Sequence, residues 1–183
     1  MPYPKRLDEP AIISHALELV RKSGRAALSM RTLAASLEVQ ASSLYRYFPS
    51  REALEVRLSE RAAAHFEARM RKASGGKSAP DALRAAAREY VRFAKKEPAL
   101  FELLLTLPYP DEMRPAAKSL WNFILELTRG ITGKSDDTSS AVALWSFLHG
   151  FTVLEASGAF GASGPKKGFQ VGLAALLAGL SKS

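Results

Sequence analysis

Apolar residues recur along this chain at intervals of three and four, and no stretch alternates apolar with polar in the manner of a half-buried strand. The spacing predicts helices throughout. The first runs over 10–23: Pro10 suits a helix start, Ile13, Ala16, Leu17 and Val20 make its stripe, and Gly24 ends it. A short second helix follows Ser29, whose hydroxyl can cap the free amides there. Residues 40–48 give a third, and Pro49 then breaks the chain. Ser50 can cap a fourth, over 50–72, with Glu52 near its positive end and Leu54, Leu58, Ala62, Phe66 and Met70 four residues apart.

SGGKSAP (74–80) reads as a linker. Beyond it, Leu83, Ala86, Tyr90 and Ala94 mark a fifth helix, and a sixth restarts at Pro98 and is closed by Pro108 and Pro110. The seventh covers 111–129 with Leu120, Phe123, Ile124 and Leu127. The eighth, 138–156, is apolar nearly all round. After the glycine-rich GAFGASGP (158–165), residues 168–180 form the last. With no internal repeat and no low-complexity tract, the expected architecture is all-α, with about nine helices.

Composition narrows the function. At 47% hydrophobic and 24% charged, the 183 residues are ordinary globular material. The absence of cysteine excludes disulfides, thiolate chemistry and zinc-ribbon designs. MPYPKRLDEP lacks a signal-peptide core, and the longest apolar run, near 172–180, is far short of the ~20 residues that span a bilayer. A cytoplasmic protein without membrane contact is expected. The formal charge of +8 favours an acidic partner, most simply nucleic acid. Residues 1–72 hold 13 Lys/Arg against 8 Asp/Glu, so the excess is denser at the N-terminal end.

SMRTLAASLEVQASSLYRYF (29–48) places two short apolar patterns, Leu33/Ala34/Leu37 and Leu44/Phe48, on either side of a compact Glu38-Val39-Gln40 break. Reading a duplex in its major groove requires a short helix that can enter, braced by a second helix across the backbone. Ala34 allows close approach, and Leu33, Leu37, Val39, Leu44 and Phe48 can share one core. The other side of the short helix then carries hydroxyls, aromatic rings and a guanidinium, groups that bond phosphates and base edges. The bland alternative is a helical hairpin with solvated polar residues; two exposed tyrosines have no solubility reason to be there.

Residues 10–66, and especially LSMRTLAASLEVQASSLYRYFPSREAL (28–54), closely resemble the N-terminal DNA-binding domain of the TetR family of transcriptional regulators, which carries Leu-Tyr-x-x-Phe-x-x-Lys/Arg-x-x-Leu where this chain has LYRYFPSREAL. The resemblance implies a helix-turn-helix DNA-binding domain over 1–53 and a helical effector-binding and dimerisation domain over 54–183. It implies DNA contacts by Arg31, Gln40, Ala41, Ser42, Ser43, Tyr45, Arg46, Tyr47 and Arg51. Tyr45, Tyr47 and Arg51 suit phosphates; Gln40, Ser42, Arg46 and Arg31 suit base edges. Two departures stand out. Glu38 replaces the turn glycine common in the family and is expected to need positive φ, and Ala41 replaces a frequent lysine, removing a phosphate contact.

LWSFLHGF (144–151) resembles a Trp-x-x-x-His-Gly signature of one TetR subgroup. Trp145, His149 and Thr152 share one side of the eighth helix, and Phe147, Phe151 and Leu154 another. A helix apolar on two sides must be covered on both, by its own domain and by a second subunit, or lie in a monomer core. The resemblance implies a homodimer through the last two helices, using Phe147, Phe151, Leu154, Leu173, Leu176 and Leu177. Phe66, Tyr90, Phe93, Phe101, Trp121, Trp145 and His149 are candidates to line a pocket for a small-molecule effector, or are simply core.

An enzyme is disfavoured: His15, His65 and His149 lack metal-ligand spacing, GITGKS (130–135) lacks the first glycine of a phosphate loop, and nothing pairs a nucleophile with a base. No cofactor and no metal are expected. The expected function is a TetR-type regulator, most simply a repressor released from a palindromic operator by a small apolar ligand. A helical protein–protein adaptor without DNA binding is the alternative.

Overall fold

Asp8 sets the first helix: in extended backbone, its carboxylate accepts the Ala11 amide at 2.8 Å and starts α1, Glu9–Ser23. A computed structural model describes residues 7–105, 115–161 and 167–182, and among them every regular element is helical. Gly24, at φ 76°, closes α1 by donating to the Val20 carbonyl at 2.8 Å. A 3-10 turn, Arg25–Ala27, follows. The buried stripe is Ile12, Ala16, Leu17 and Val20, with Ile13 half-buried on its flank. Stripes through 12 and through 13 differ by one residue, which periodicity alone does not separate.

Ser29 starts α2, Met30–Ser36, with a reciprocal capping box. Its hydroxyl accepts the Thr32 amide at 3.0 Å, and its own amide donates to the Thr32 hydroxyl at 2.9 Å. The helix ends in a Schellman motif: the Glu38 amide donates to Ala35 at 3.2 Å and the Val39 amide to Ala34 at 3.0 Å. Glu38 takes the left-handed conformation, φ 57°, that this motif requires.

The third helix, α3, is Ala41–Tyr45, shorter than the expected 40–48. The Tyr47 and Phe48 amides both donate to Leu44, at 2.9 and 3.0 Å, so the chain keeps turning until Pro49, which has no amide to continue the ladder. The Ser50 hydroxyl then accepts the Ala53 amide at 3.2 Å and opens α4, Arg51–Ser74.

The remaining helices are α5 (Ala79–Lys96), α6 (Pro98–Leu105), α7 (Pro115–Thr132), α8 (Thr138–Ala156) and α9 (Gly168–Leu180). The closing role given to Pro108 and Pro110, the first residues of the 111–129 helix, and 162–165 of the glycine-rich stretch lie outside the described residues.

The chain divides into two units. Among the described residues, one comprises 7–63 with 97–105, the other 64–96 with 115–161 and 167–182. This grouping differs from a single cut after residue 53, because α6 joins the first unit across a long sequence gap. Glu97 accepts Arg21 at 2.9 Å, and the buried Ser59 hydroxyl donates to the Leu103 carbonyl at 2.9 Å. Leu100 and Leu103 complete a core with Ile12, Leu28, Leu33, Leu44, Leu54 and Leu58, all fully buried.

The second unit packs the rest of α4 with α5, α7, α8 and α9. Arg69 on α4 donates to the buried Glu89 of α5 at 2.7 Å, and Arg92 shares that carboxylate at 2.6 Å. Arg71 lies 4.4 Å from the centre of the Phe123 ring on α7 and donates to Glu67 and Glu126. Buried carboxylates of this kind persist because they are paired.

Candidate DNA-binding face

Leu44 and Phe48 are buried on the inner side of α3, which packs against α2, where Leu33 and Ala34 are buried too. The residues between them are therefore forced outward. Tyr45 is 51% exposed, and Gln40, Ser42 and Arg46 are exposed with it. None of the four side chains has a hydrogen-bond or ion-pair partner among the described residues, and the same is true of Arg31, exposed in the first turn of α2. Ala41 and Ser43 are half-buried at the edge of the same surface. One short helix and the start of its brace thus present a guanidinium pair, a hydroxyl, an amide and a phenol to solvent.

Two of the sequence-nominated contacts are engaged within the chain. The Tyr47 hydroxyl, on a residue 39% exposed, donates to the Leu7 carbonyl at 2.5 Å. A phenol has one hydrogen, so donating to a phosphate would first require this bond to open. Arg51 donates through Nε to Glu55 at 2.9 Å, and Glu55 also accepts Arg25 at 2.8 Å. Arg51 therefore brings less uncompensated charge to the surface than Arg46. The Arg51/Glu55 pairing was readable from its i, i+4 spacing. The Tyr47–Leu7 bond joins residues 40 apart, and no local pattern announces it.

In the second unit, Tyr90 and Trp145 line a cavity of about 20 Å³ together with Met70, Leu83, Leu127 and Leu148. The Tyr90 hydroxyl lies 3.0 Å from His149 Nδ1, and burial pushes the His149 imidazole below its ordinary pKa, favouring the neutral ring. Trp121 meets Trp145 edge-on at 6.1 Å, and Trp145 lies 6.4 Å from the His149 ring. Phe66 and Phe93 are core residues, 4.7 Å apart between ring centres, and do not line this cavity. Phe101 is buried in the first unit. Of the seven nominated pocket residues, then, Tyr90, Trp121, Trp145 and His149 form one neighbourhood, which Phe66 joins from the core through its edge-on contact with Tyr90 at 5.1 Å.

The six nominated interface residues also separate. Leu173 and Leu177 are only 5% and 4% exposed in the single chain, so they serve its own core. Phe147 stacks on Phe169 at 5.9 Å, Phe151 lies 5.2 Å from the same ring, and Leu176 is half-buried. Leu154 is exposed. The other exposed large apolar residues of α8 and α9 are Val142, Val153 and Val171. Helical spacing made all these positions apolar without saying which side each would cover.

Among the described residues no group of three or more acidic or histidine side chains is placed to hold a metal, and no helix is long and apolar enough to cross a membrane. The brace helix, the tight αL turn and the outward-facing α3 define a helix-turn-helix protein of the all-α class. Residues 12–58 match the family model described as bacterial regulatory proteins, tetR family, and residues 83–176 match the tetracyclin repressor-like C-terminal domain. The chain belongs to the TetR family of DNA-binding transcriptional regulators.

It is 25% identical over 162 residues to the uncharacterized HTH-type transcriptional regulator Rv0681 of Mycobacterium tuberculosis, covering 85% of this chain and 73% of that one. Its fold is similar to that of a protein of unknown function from Rhodococcus sp. RHA1, with a TM-score of 0.80, 20% identity and coverage of 97% and 98%. It is also similar in fold to a TetR variant from Acinetobacter baumannii AYE in complex with minocycline, with a TM-score of 0.65, 22% identity and coverage of 97% and 98%.

Proposed function

We propose that this regulator is a cytoplasmic homodimeric repressor without catalytic activity, released from a palindromic operator by a small apolar ligand. The observation that carries the reading is the set of outward groups on α3 and at the start of α2 that have no partner among the described residues. Arg31, Gln40, Ser42 and Arg46 suit base edges and Tyr45 a phosphate. Two copies would set their α3 helices one helical turn apart, ~34–36 Å, in successive major grooves. Residues 1–53 would form the reading domain and 54–183 the effector and dimerisation domain. The exposed Val142, Val153, Leu154 and Val171 favour α8 and α9 as the dimer face. Trp145, His149 and Gly150 favour the Trp-His-Gly subgroup.

The relative's complex with minocycline supports a ligand site in this fold. A ligand releases DNA only through its different affinity for two states, a coupling of typically ~1–3 kcal/mol. α4 is one continuous helix whose residues belong to both units, which suits it to carry that coupling. The test is a band shift of the purified protein against the DNA upstream of its own gene. Wild type is expected to bind as a dimer, and the Tyr45→Ala/Arg46→Ala double variant to lose specific binding while remaining dimeric. Retention of operator affinity by that variant would remove the basis of the reading.

A further inference from the structure

Two arginines of the first unit meet at one carboxylate. Glu55 of α4 accepts Arg25, from the 3-10 turn after α1, at 2.8 Å through Oε2, and Arg51, the first residue of α4, at 2.9 Å through Oε1. The carboxylate is the most buried of the three groups: its side chain is 16% exposed, against 29% for Arg25 and 41% for Arg51. An approaching molecule therefore meets the guanidinia first. Two positive charges and one negative leave the cluster with one net positive charge. Arg51 uses only Nε on the carboxylate, and its terminal nitrogens, like Arg25 Nη1, have no partner among the described residues. Arg25 Nε is buried without an acceptor, so Glu55 is the anion that keeps this half-buried cation in place. Glu52, the next carboxylate along α4, is exposed and hydrogen-bonded to Ser50.

We infer that Arg25, Glu55 and Arg51 act as one phosphate-contacting cluster, in which Glu55 gathers the two guanidinia and offsets one of their charges, and so limits how tightly the protein grips a duplex. The inference rests on the proposed DNA-reading face and adds Arg25 and Glu55 to it. Both arginines lie within hydrogen-bond distance of the same carboxylate, so a phosphate held by Arg51 stands close to Arg25 as well. A guanidinium with free terminal nitrogens suits a phosphate oxygen. That phosphate competes with Glu55: a cation already facing one negative charge pulls less on another, and part-buried charges are screened little by salt. Backbone contacts carry no sequence information, so Glu55 lowers the grip on operator and on arbitrary DNA together. Its loss therefore has two effects of opposite direction, a weaker fold and a stronger hold on DNA.

The experiment is filter binding of the full-length protein across a salt series, with the DNA upstream of its own gene and with a duplex of arbitrary sequence. Glu55→Gln keeps the size of the side chain and removes its charge. It is expected to tighten binding to both duplexes about two- to fivefold and to steepen the salt slope by up to ~0.9. Arg25→Gln is expected to weaken both by a similar factor and to flatten the slope. Urea denaturation should find both variants less stable than wild type, since each breaks a part-buried ion pair. A purely structural cluster would weaken binding in both variants by the fraction unfolded, which rescales affinity alike at every salt concentration and leaves the slope unmoved. Glu18→Gln makes the same charge change on an exposed α1 residue that no cation holds among the described residues, and so controls for net charge. Where Glu55→Gln does not fold, the slope of Arg25→Gln decides. Weaker binding by Glu55→Gln, an unchanged slope in Arg25→Gln, or an effect of Glu18→Gln equal to that of Glu55→Gln would overturn the inference and leave the reading face standing. Wild type that binds neither duplex would defeat both.

Discussion

Replacing Glu38 by glycine is expected to stabilise this protein. Glu38 stands at the position after the C-cap of α2, where the Schellman bonds from Glu38 to Ala35 and from Val39 to Ala34 impose φ 57°. For a residue with a β-carbon the left-handed region costs ~1–2 kcal/mol, whereas glycine adopts it without that penalty but loses ~0.5–1 kcal/mol through its freer unfolded chain. The Glu38 side chain is exposed and no ion pair or hydrogen bond to it is found among the described residues, so little else is lost. The net gain is then about 0.5–1 kcal/mol, equivalent to roughly 1–4 °C in a chain of this size. Glu38→Ala is the control: it removes the same charge but keeps the strain. Urea denaturation of the three proteins at one protein concentration measures the difference, and Glu38→Gly should exceed Glu38→Ala by about 1 kcal/mol. Any change common to both variants reports the lost charge. Glycine no more stable than alanine would mean that the left-handed turn carries no strain, and the penalty assigned to Glu38 would be wrong.

Other outcomes follow from the same geometry. Arg46→Ala should weaken binding to the cognate operator by about 1–3 kcal/mol and narrow the gap between cognate and random DNA. Arg51→Ala, already paired with Glu55, should leave that gap unchanged and lower the salt slope by less than the ~0.9 of one uncompensated phosphate contact; filter binding across a salt series reads both. Gly172→Ala should destabilise by about 1–3 kcal/mol, because the new Cβ would stand 2.5 Å from Phe147 Cε2 while that ring is stacked on Phe169. Phe147→Leu in the same chain should recover part of the loss in chemical denaturation. His149 has a folded pKa below the ordinary 6.5, so the unfolded chain takes up its proton first as pH falls. Its neutral form therefore supports the fold fully above pH 6.5, and that support diminishes as pH drops from there towards the folded value. His149→Gln should flatten this portion of the stability–pH curve, and an unchanged curve would refute the assignment.

What the sequence determined by itself was local. The period of three to four, the caps at Ser29 and Ser50, and the stop at Pro49 are each written within a few residues, because helix hydrogen bonds close within one turn. The strained turn was indicated by the family resemblance, since Glu38 stands where members commonly carry glycine, and the structure gives that residue φ 57°. The outward face of α3 was legible too: Leu44 and Phe48 have to point inward, and that leaves Ser42, Tyr45 and Arg46 no other direction. Tertiary structure alone decided the rest. Nothing near Tyr47 in sequence shows that its hydroxyl reaches Leu7, and nothing near Leu173 or Leu177 distinguishes a chain's own core from a partner's surface, because an apolar stripe records burial and not by what. α6 joins α1 rather than its neighbour α5 for the same reason. Packing partners are chosen by shape and by single bonds such as Ser59 to Leu103, across intervals that no periodicity spans.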